Sequence, residues 1–418
     1  MATSGLRVVV VEARDRVGGR VWSGHQRNGV SAELGAEFIH GRAEDTMALL
    51  RHAGMRTVEM LDDSWICIKH GELQRDDLDF LSAAKIFDDT LLLSKDESVE
   101  RFLQRFAHDP ARNADVELAR AFVEGFDAAD PAIASAKAIA DEWRSGVDFS
   151  STRPSGGYRQ LFEYFARDCV AAGAELKLST RACAIEWSKG GVKIDISDAL
   201  GAQQTLDARA AIVTLPVGVL RTQGESAVGF APGLPQGKRA ALQFIEMGHA
   251  IRVGLWFRSA FWERLGDGRY RDAAFFRCAH QHFNAYWTQL PTRSTLIVAW
   301  AGGPKAIAMD RIAHSERVQL ALRGFGELFD QVELTCNEFE SAVMHDWDSD
   351  PYALGAYSYI AVGGESARAI LAQPVDDKLF FAGEATSTDG QGGTVSGAFK
   401  TGTRAAREAL SALGLTAD

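Results

Sequence analysis

Short apolar runs that stop at polar residues or turns dominate the pattern of this chain. Residues 8–11 are four consecutive valines that end at Glu12, and residues 210–214 and 379–382 are similar runs that end at turns. Strands that are apolar on both faces are typical of parallel sheets covered by helices. We therefore predict buried parallel strands near the start, in the middle and near the end of the chain.

Helical patterns fill much of the remaining sequence. Apolar positions recur at helical spacing in residues 44–54, 161–171 and 315–329, and a further helix is predicted over residues 394–413. The stretch from residue 76 to about 144 is also helical in pattern. We interpret its apolar side chains at helical spacing as core residues rather than as part of a cofactor site: Phe102, Phe106, Leu118, Phe122 and Phe126.

Strands are predicted between these helices. Turn glycines indicate hairpins at residues 65–71 and 184–196. We predict further strands at 251–257, with alternating buried and exposed positions, at 294–300 and at 343–347. This mixture indicates an α/β protein, or α+β when the whole chain is considered. We expect a discontinuous Rossmann-like dinucleotide-binding domain, into which a substrate domain of mixed sheet and helices is inserted twice.

The expected domain division follows from where the parallel-type strands lie. A chain of 418 residues exceeds what one hydrophobic core usually supports, so two joined domains are expected. We assign residues 1–45, 150–215 and 360–418 to the dinucleotide-binding domain, and residues 46–149 and 216–359 to the substrate-binding domain.

Composition and charge narrow the classes of partner. The chain is 46% hydrophobic and 24% charged, as in ordinary globular proteins, and its net charge is −11. No basic excess neutralises phosphates, which argues against nucleic acid as a partner. Five scattered cysteines without a C-x-x-C pair indicate free thiols in a reducing cytoplasm. We find no apolar stretch of about 18 residues and no signal peptide, so we expect a cytoplasmic protein without a membrane span.

The segment EARDRVGGR after the first strand has the chemistry of a dinucleotide site. An acidic residue at the carboxyl end of a parallel strand, here Glu12, is where such folds hold ribose hydroxyls. Gly18 and Gly19 would let backbone N–H groups approach a phosphate, and Arg20 offers a bidentate fork. The alternative is a buried strand followed by an ordinary charged turn, but the combination of these residues with Arg14 favours a cofactor site.

The position of Glu12 conflicts with one expectation for such a site. In a dinucleotide fold the Gly-rich phosphate loop lies about 20 residues before this acidic residue, whereas eleven residues precede Glu12. Residues 1–6 would form the last turn of the crossover helix, with Gly5 as its C-cap. Either the chain begins late, or this protein has lost that half of the phosphate site.

Two further segments place polar groups beside glycines. In residues 32–41, AELGAEFIHG, the side chains of Glu37 and His40 either belong to a buried turn with a satisfied histidine or line a ring cofactor. A glycine cluster at residues 390–393 precedes the last predicted helix. The N–H groups and dipole of that helix would face an electron-rich or anionic ring edge.

An ordered series of motifs makes this chain resemble the flavin-dependent amine oxidases, which include monoamine, polyamine and spermine oxidases and a histone-demethylase branch. Each motif is modest alone, but their order and spacing are specific, and they span nearly the whole chain. They are EARDRVGGR at 12–20, ELGAEFIHG at 33–41, PSGGY at 154–158, VTLPVGVL at 213–220, MGHAIRV at 247–253, DPYALGAYS at 350–358, FFAGEAT at 380–386 and GGTVSGA at 392–398.

This resemblance implies an FAD cofactor, so that the dinucleotide domain would be an FAD-binding domain. Glu12 would bind the adenosine ribose, and Gly19 and Arg20 the pyrophosphate. The pyrimidine edge of the flavin would meet the start of the last helix. The cofactor residues implied by the resemblance are Glu12, Arg14, Gly18, Gly19, Arg20, Gly35, Ala36, Glu37, Phe38, Ala182, Trp347, Gly383, Glu384, Gly393, Thr394 and Val395.

The implied reaction is oxidation of a small amine or polyamine by oxygen. A hydride equivalent leaves the carbon next to a neutral amine, the imine is hydrolysed to an aldehyde and ammonia or amine, and oxygen becomes hydrogen peroxide. Tyr357 matches one wall of the family's aromatic cage, and His40 matches a histidine of several polyamine and spermine oxidases. With Arg252, these are our candidate catalytic residues. We also expect the carboxylates of Glu37 and Glu384 to add a negative field.

The chain departs from the family pattern at several positions. Arg252 stands where relatives usually have a lysine near the flavin N5, and a guanidinium resists acting as a base. Ala356 replaces the cysteine to which monoamine oxidases attach flavin, so we expect noncovalent FAD. Residues 391–394 lack the aromatic second cage wall, which implies a more open or more polar site. Without the Gly-rich loop, weak or no FAD binding is expected.

Two alternative functions follow from these departures, and one group of possible metal ligands has to be considered as well. An amino-acid oxidase or desaturase-like flavoprotein would use Arg252 to pair with a substrate carboxylate. An inactive remnant would follow from the missing Gly-rich loop. Cys278, His280 and His282 lack a second pair of ligands, so we predict an alternating strand there and no metal site.

Overall fold

The computed structural model describes residues 1–41, 43–69, 71–75, 84–145, 151–224 and 227–416. The first part of the predicted helical stretch and the predicted domain boundary at residues 149 and 150 lie outside this description. No helix in the part of the chain described has both the length and the apolar character needed to cross a bilayer.

The strands of the structure are short and are distributed along the whole chain. In chain order they are β1 (Val9–Val11), β2 (Ser23–Arg27), β3 (Val30–Glu33), β4 (Ile39–His40), β5 (Thr57–Glu59), β6 (Ser64–Lys69), β7 (Glu72–Arg75), β8 (Ser151–Pro154), β9 (Glu175–Lys177), β10 (Thr180–Ser188), β11 (Gly191–Asp198), β12 (Gln203–Ala208), β13 (Ala211–Val213), β14 (Gly229–Ala231), β15 (Ile245–Met247), β16 (Ala250–Phe257), β17 (Phe275–Arg277), β18 (Ala285–Trp287), β19 (Leu296–Gly302), β20 (Phe339–Met344), β21 (Ser358–Ile360) and β22 (Leu379–Phe381).

Helices alternate with these strands and are most frequent in residues 84–145 and at the C-terminus. In chain order they are α1 (Glu44–His52), α2 (Val99–Gln104), α3 (Asn113–Gly125), α4 (Ala136–Arg144), α5 (Arg159–Ala171), α6 (Val217–Arg221), α7 (Gln236–Ala241), α8 (Pro304–Ala308), α9 (His314–Glu327), α10 (Val332–Glu338), α11 (Ala367–Ala372) and α12 (Val395–Ala412), with 3₁₀ helices at Ala2–Ser4, Ile86–Leu92, Phe261–Gly268 and Glu384–Thr386.

Parallel strand pairs occur at the three predicted places. β1 pairs with β9, and β13 pairs with β22, in each case in parallel. Gly5 ends the 3₁₀ helix before β1 with φ of 79°, which confirms the predicted C-cap. The predicted burial is wrong for Val10, which is 40% exposed, because β1 hydrogen-bonds only to β9 among the described strands.

A seven-stranded sheet forms the scaffold on the substrate side, in the order β20-β16-β19-β18-β17-β6-β7. All of β16 is buried, so the predicted alternation at 251–257 is wrong. The reason is that both faces of this strand are covered. Val253 and Leu255 pack in a large core with α9, whereas Trp256 packs with Ala32 on the other face.

Most other predicted elements are present, with two local exceptions. The hairpins β6–β7 and β10–β11 and the helices α1, α5, α9 and α12 confirm the predicted patterns. The strand predicted at 343–347 is wrong beyond Met344, because His345 and Trp347 turn to bind other segments. The alternating strand predicted from Cys278 to His282 is also wrong, since β17 ends at Arg277 and a turn follows.

Candidate cofactor and substrate cavity

A cavity of about 1870 Å³ lies between the β1 region, the last helix and the seven-stranded sheet. Its volume exceeds the roughly 300–1,000 Å³ of ordinary small-molecule sites, so a large cofactor and a substrate fit together. Every residue predicted to bind the cofactor or to act in catalysis lines it, although these residues come from distant parts of the chain.

Glu12 and Arg14 line the cavity just after β1. The Glu12 carboxylate accepts a hydrogen bond from the backbone N–H of Arg14 at 2.8 Å, and burial raises its pKa. The Arg14 guanidinium forms two bonds to Asp350, at 2.8 and 2.9 Å. Burial alone would raise the pKa of Asp350, but hydrogen bonds from His345 and Arg14 hold it below its usual range. Arg14 therefore anchors the loop that carries Asp350 to the segment after β1.

Arg20 and Glu384 form a second ion pair across the cavity wall. Nη1 of Arg20 donates to Glu384 at 2.9 Å and to the carbonyl oxygen of Ala356 at 2.9 Å. The other carboxylate oxygen of Glu384 accepts from the hydroxyl of Ser358 at 2.6 Å. Burial would raise the pKa of Glu384, but Arg20 and Arg368 lower it. This carboxylate is thus a charged, paired junction of several segments.

Glu37 is the centre of a third charged group, on the substrate side. One of its oxygens accepts from Arg153 at 2.7 Å, and the other accepts from Arg252 and from the indole N–H of Trp287. Burial would raise the pKa of Glu37, but the two arginines lower it. The predicted negative field from Glu37 and Glu384 is therefore wrong, because each carboxylate is offset by two guanidinium groups.

The N-terminus of α12 lines the same cavity, through Thr394 and Val395. The hydroxyl of Thr394 accepts from the backbone N–H of Gly397 at 3.0 Å and caps the helix. Gly393 has φ of 71°, which favours glycine there. Gly35 also lines the cavity, and any side chain at this position would collide with the carbonyl of Arg20. These glycines leave open the space that a flat ring would occupy.

Aromatic side chains also line the cavity. The hydroxyl of Tyr357 donates to the carbonyl of Phe126 at 2.6 Å, and burial together with the nearby carboxylate of Asp127 raises the pKa of Tyr357. The ring of His40 lies edge-on to Phe126, with centroids 4.8 Å apart, and Phe38 lies 5.7 Å from His40. His40 therefore belongs to the cavity wall.

Residues 84–145 contribute more to this wall than the sequence pattern indicated. Phe102 is buried in the helical core as predicted, but Leu118, Phe122 and Phe126 line the cavity, so their assignment to the core alone is wrong. Apolar side chains that pack in a core and those that line a cavity recur with the same helical period. The period alone therefore does not distinguish the two roles.

Several cavity residues were not predicted at all. They lie outside the motifs that carry the resemblance. For Asp127 and Glu142 the only signal in the sequence is an acidic residue next to apolar positions at helical spacing. They are Asp127, Glu142, Arg153, Trp287 and Trp300.

Comparisons with known proteins agree with this geometry. The sequence profile described as flavin containing amine oxidoreductase matches residues 1–410. The chain is 26% identical to lysine-specific histone demethylase 1 homolog 2 of Oryza sativa subsp. japonica, over 98% of this chain and 54% of that protein. It therefore spans about half the length of that relative. It is also 26% identical to polyamine oxidase 4 of the same organism, over 98% of this chain and 84% of that protein.

A solved structure gives the same result for the fold. Wild-type putrescine oxidase bound to putrescine superimposes with a TM-score of 0.78 at 22% identity, over 97% of this chain and 94% of that chain. This likeness confirms the predicted α/β dinucleotide-binding fold with an inserted substrate domain.

Proposed function

The chain belongs to the family of flavin-containing amine oxidoreductases, and on this premise we propose that it binds FAD noncovalently and oxidises a small amine with oxygen. One observation carries the proposal. The residues assigned to the cofactor and those assigned to the amine line a single cavity, among them Glu12 and Tyr357. The matches to a polyamine oxidase and to a putrescine oxidase support an amine as the substrate.

The described residues offer partners for several parts of a bound dinucleotide, although residues 1–11 contain no Gly-rich loop. The carboxylate of Glu12, at the end of a parallel strand, would accept hydrogen bonds from ribose hydroxyls. Arg20 and the backbone of Gly19 would meet the phosphates. The start of α12, at Thr394 and Val395, would place its N–H groups and dipole at the flavin edge where negative charge develops.

The residue at position 356 supports noncovalent attachment of the cofactor. Ala356 lines the cavity, and no cysteine is found among the described residues that line it. An alanine methyl group forms no bond to flavin, which supports noncovalent FAD.

The amine end of the cavity would orient a neutral amine. Bound flavin supplies the acceptor for a hydride equivalent from the carbon next to the nitrogen. The raised pKa of Tyr357 keeps its phenol neutral, and its bond to Phe126 fixes the ring as a wall. Phe38 and His40 would form further walls, which exclude water and favour the uncharged form of the reacting amine.

Arg252 would act as a fixed charge rather than as a base. It is 6% exposed, pairs with Glu37, and lies over the ring of Trp287 with 5.2 Å between the guanidinium carbon and the ring centroid. Its guanidinium already binds the Glu37 carboxylate, so its geometry gives no separate support for an amino-acid oxidase in which Arg252 binds a substrate carboxylate.

The test is the visible spectrum of the purified protein, followed by peroxide assays. Because weak FAD binding is expected without the Gly-rich loop, the spectrum is recorded as purified and after addition of FAD; we expect oxidised-flavin bands in at least the second case, release of FAD on acid denaturation, and peroxide with amines but not with amino acids. Flavin that stays with the denatured chain would contradict noncovalent binding. Folded protein that neither carries nor takes up FAD would overturn the proposal.

A matched pair of variants locates the reaction. Tyr357→Phe removes the hydrogen bond to Phe126, and we expect it to lower kcat/KM about 10-fold, the factor of one hydrogen bond to a buried carbonyl. Tyr164→Phe makes the same chemical change on α5, away from the residues that line the cavity, and we expect unchanged kinetics. Equal effects of the two changes would contradict the assigned site.

A further inference from the structure

Arg368 is a buried arginine that lies behind the wall of the cavity. It belongs to α11, is 7% exposed, and is not among the described residues that line the cavity. Its Nη1 donates to the hydroxyl oxygen of Ser358 at 2.8 Å, and its Nη2 donates to the carbonyl oxygen of Ser358 at 2.9 Å and to the carboxylate of Glu142 at 3.1 Å. A planar guanidinium bound by a carboxylate and by two oxygens of one residue has a defined position.

Ser358 connects this guanidinium to the substrate side of the cavity. A guanidinium donates hydrogen bonds but cannot accept them, so the Ser358 hydroxyl accepts from Arg368 and donates its own hydrogen to Glu384, at 2.6 Å. Ser358 directly follows Tyr357, the residue assigned to the wall beside the amine. One guanidinium therefore binds both the side chain and the backbone carbonyl of the residue next to Tyr357.

The glycines before α12 pack against the same group. A Cβ atom at Gly392 would lie 2.6 Å from the guanidinium carbon of Arg368 and 2.8 Å from a carboxylate oxygen of Glu142. Glycine at this position therefore lets the backbone approach the ion pair closely. The next residue, Gly393, donates its N–H to Glu384 at 3.0 Å. The pair of Arg368 with Glu142 thus sets the distance between the start of α12 and the helix α4.

The two segments that Arg368 supports meet in the cavity wall. A Cβ atom at Gly393 would lie 3.2 Å from the ring of Tyr357, and both residues line the cavity. Tyr357 is assigned to the amine, and the start of α12 is assigned to the edge of the flavin. Arg368 therefore contacts both assigned walls from behind.

From these contacts we propose that Arg368 is a positioning residue for the oxidation. It fixes the distance between the Tyr357 wall, which would orient the amine, and the start of α12, which would orient the flavin edge. This inference rests on the proposed amine oxidation and adds to it a residue that touches neither the substrate nor the cofactor. Transfer between two bound groups depends steeply on their distance, and a misplacement of about 1 Å can lower the rate about 100-fold.

The first test is the variant Arg368→Lys. Lysine keeps the positive charge, but one ammonium on a flexible stem does not hold Ser358 and Glu142 in a fixed plane. We expect kcat to fall about 10- to 100-fold while KM stays within about 3-fold, because the amine still binds but is misplaced relative to the flavin. A raised KM with unchanged kcat would overturn the proposal, since Arg368 would then affect binding alone.

Arg317→Lys on α9 is the matched control. Arg317 is 3% exposed and pairs with Asp346 at 2.9 Å, and it lies outside the set of described residues that line the cavity. The same substitution at an equally buried ion pair should leave kcat unchanged. An equal fall of kcat in the two variants would mean that the loss of any buried guanidinium lowers the activity, and would overturn the proposal.

Ser358→Ala tests whether Arg368 acts through its neighbour. It removes the hydroxyl that joins Arg368 to Glu384 and leaves no new buried charge. We expect kcat to fall in this variant as well, and the double variant to lie within about 2-fold of Arg368→Lys, because both changes break one chain of contacts. Effects that multiply in the double variant would show that Ser358 acts independently of Arg368, and would overturn the proposal.

Hydrogen exchange measured by mass spectrometry separates this inference from the proposed activity. It is recorded on the whole protein without added amine or FAD, so it gives a result even if no amine is oxidised. We expect Arg368→Lys to speed the exchange of backbone amides in residues 356–360 and 391–395 together, and Arg317→Lys to leave both segments unchanged. Unchanged exchange of the two segments in Arg368→Lys would overturn the proposal, whatever the peroxide assays give.

Discussion

Glu37 and Arg252 form a buried ion pair in the cavity wall, although 215 residues separate them in sequence. The other oxygen of Glu37 binds Arg153, so one carboxylate is shared by two buried guanidinium groups. The arrangement ties the segment after β3 to β16 and β8. It also places the net positive charge of this group in the cavity wall.

Glu37→Gln should destabilise the protein strongly. It leaves two buried guanidinium groups without a carboxylate, and loss of one partner of a buried pair typically costs about 3–5 kcal/mol. Urea denaturation monitored by tryptophan fluorescence measures the change. Glu340→Gln is the control, because the pair of Glu340 with Arg27 is partly exposed and should contribute about 0–1 kcal/mol. A loss in Glu37→Gln no larger than in the control would contradict this account.

Glu33 should make stability fall as the pH rises from about 4.5 to about 7. Burial raises its pKa to about 7, so between the unfolded and folded pKa values the folded state binds the additional proton. Stability decreases with pH wherever the folded state holds more protons, and the full loss is about 3 kcal/mol.

The variant Glu33→Gln isolates this contribution. We expect its stability relative to wild type to increase between pH 5 and about 7 and then to stay constant. Ser23, which donates to Glu33 at 2.8 Å, can still donate to the glutamine oxygen. A stability difference that does not vary with pH would exclude Glu33 as the titrating group.

Thr394→Ala should weaken the start of α12. The hydroxyl of Thr394 caps this helix through Gly397, and loss of such a cap costs about 0.5–2 kcal/mol. Thr394→Ser keeps the oxygen and should retain most of the stability. Thermal unfolding of the two variants gives the comparison, and an equal loss in both would mean that the methyl group, rather than the cap, matters.

Gly35→Ala should reduce flavin content more than it alters secondary structure. A methyl group there would meet the carbonyl of Arg20 and the ring of Trp347, which must move into the space assigned to the cofactor. We expect helical circular dichroism to be retained and flavin absorbance per protein to fall. Gly237→Ala on α7, where the added methyl group has ordinary contacts, should keep its flavin. Full flavin content in Gly35→Ala would contradict this account, because it would mean that Arg20 and Trp347 move without narrowing the space assigned to the cofactor.

Local patterns predicted the elements well and their packing less well. Valine runs and turn glycines depend on short-range preferences, so β1, β22 and the β10–β11 hairpin could be identified directly. Burial of both faces of β16 could not be predicted in this way, because it depends on which distant segments cover the sheet. The apolar positions of residues 84–145 show the same limit, since Phe102 packs in a core whereas Phe126, which follows α3, lines the cavity.

The sequence by itself determined the parallel strands, the family resemblance and many of the residues that line the cavity, since these depend on contiguous motifs. Only the tertiary structure decided which buried carboxylates are paired with a guanidinium group and which are not. It paired Glu37 with Arg252 and Arg153, and Glu384 with Arg20, whereas it left Asp127 with a single indole partner. The physical reason is that the effect of a buried charge depends on the distance to groups far away in sequence, which no local pattern encodes.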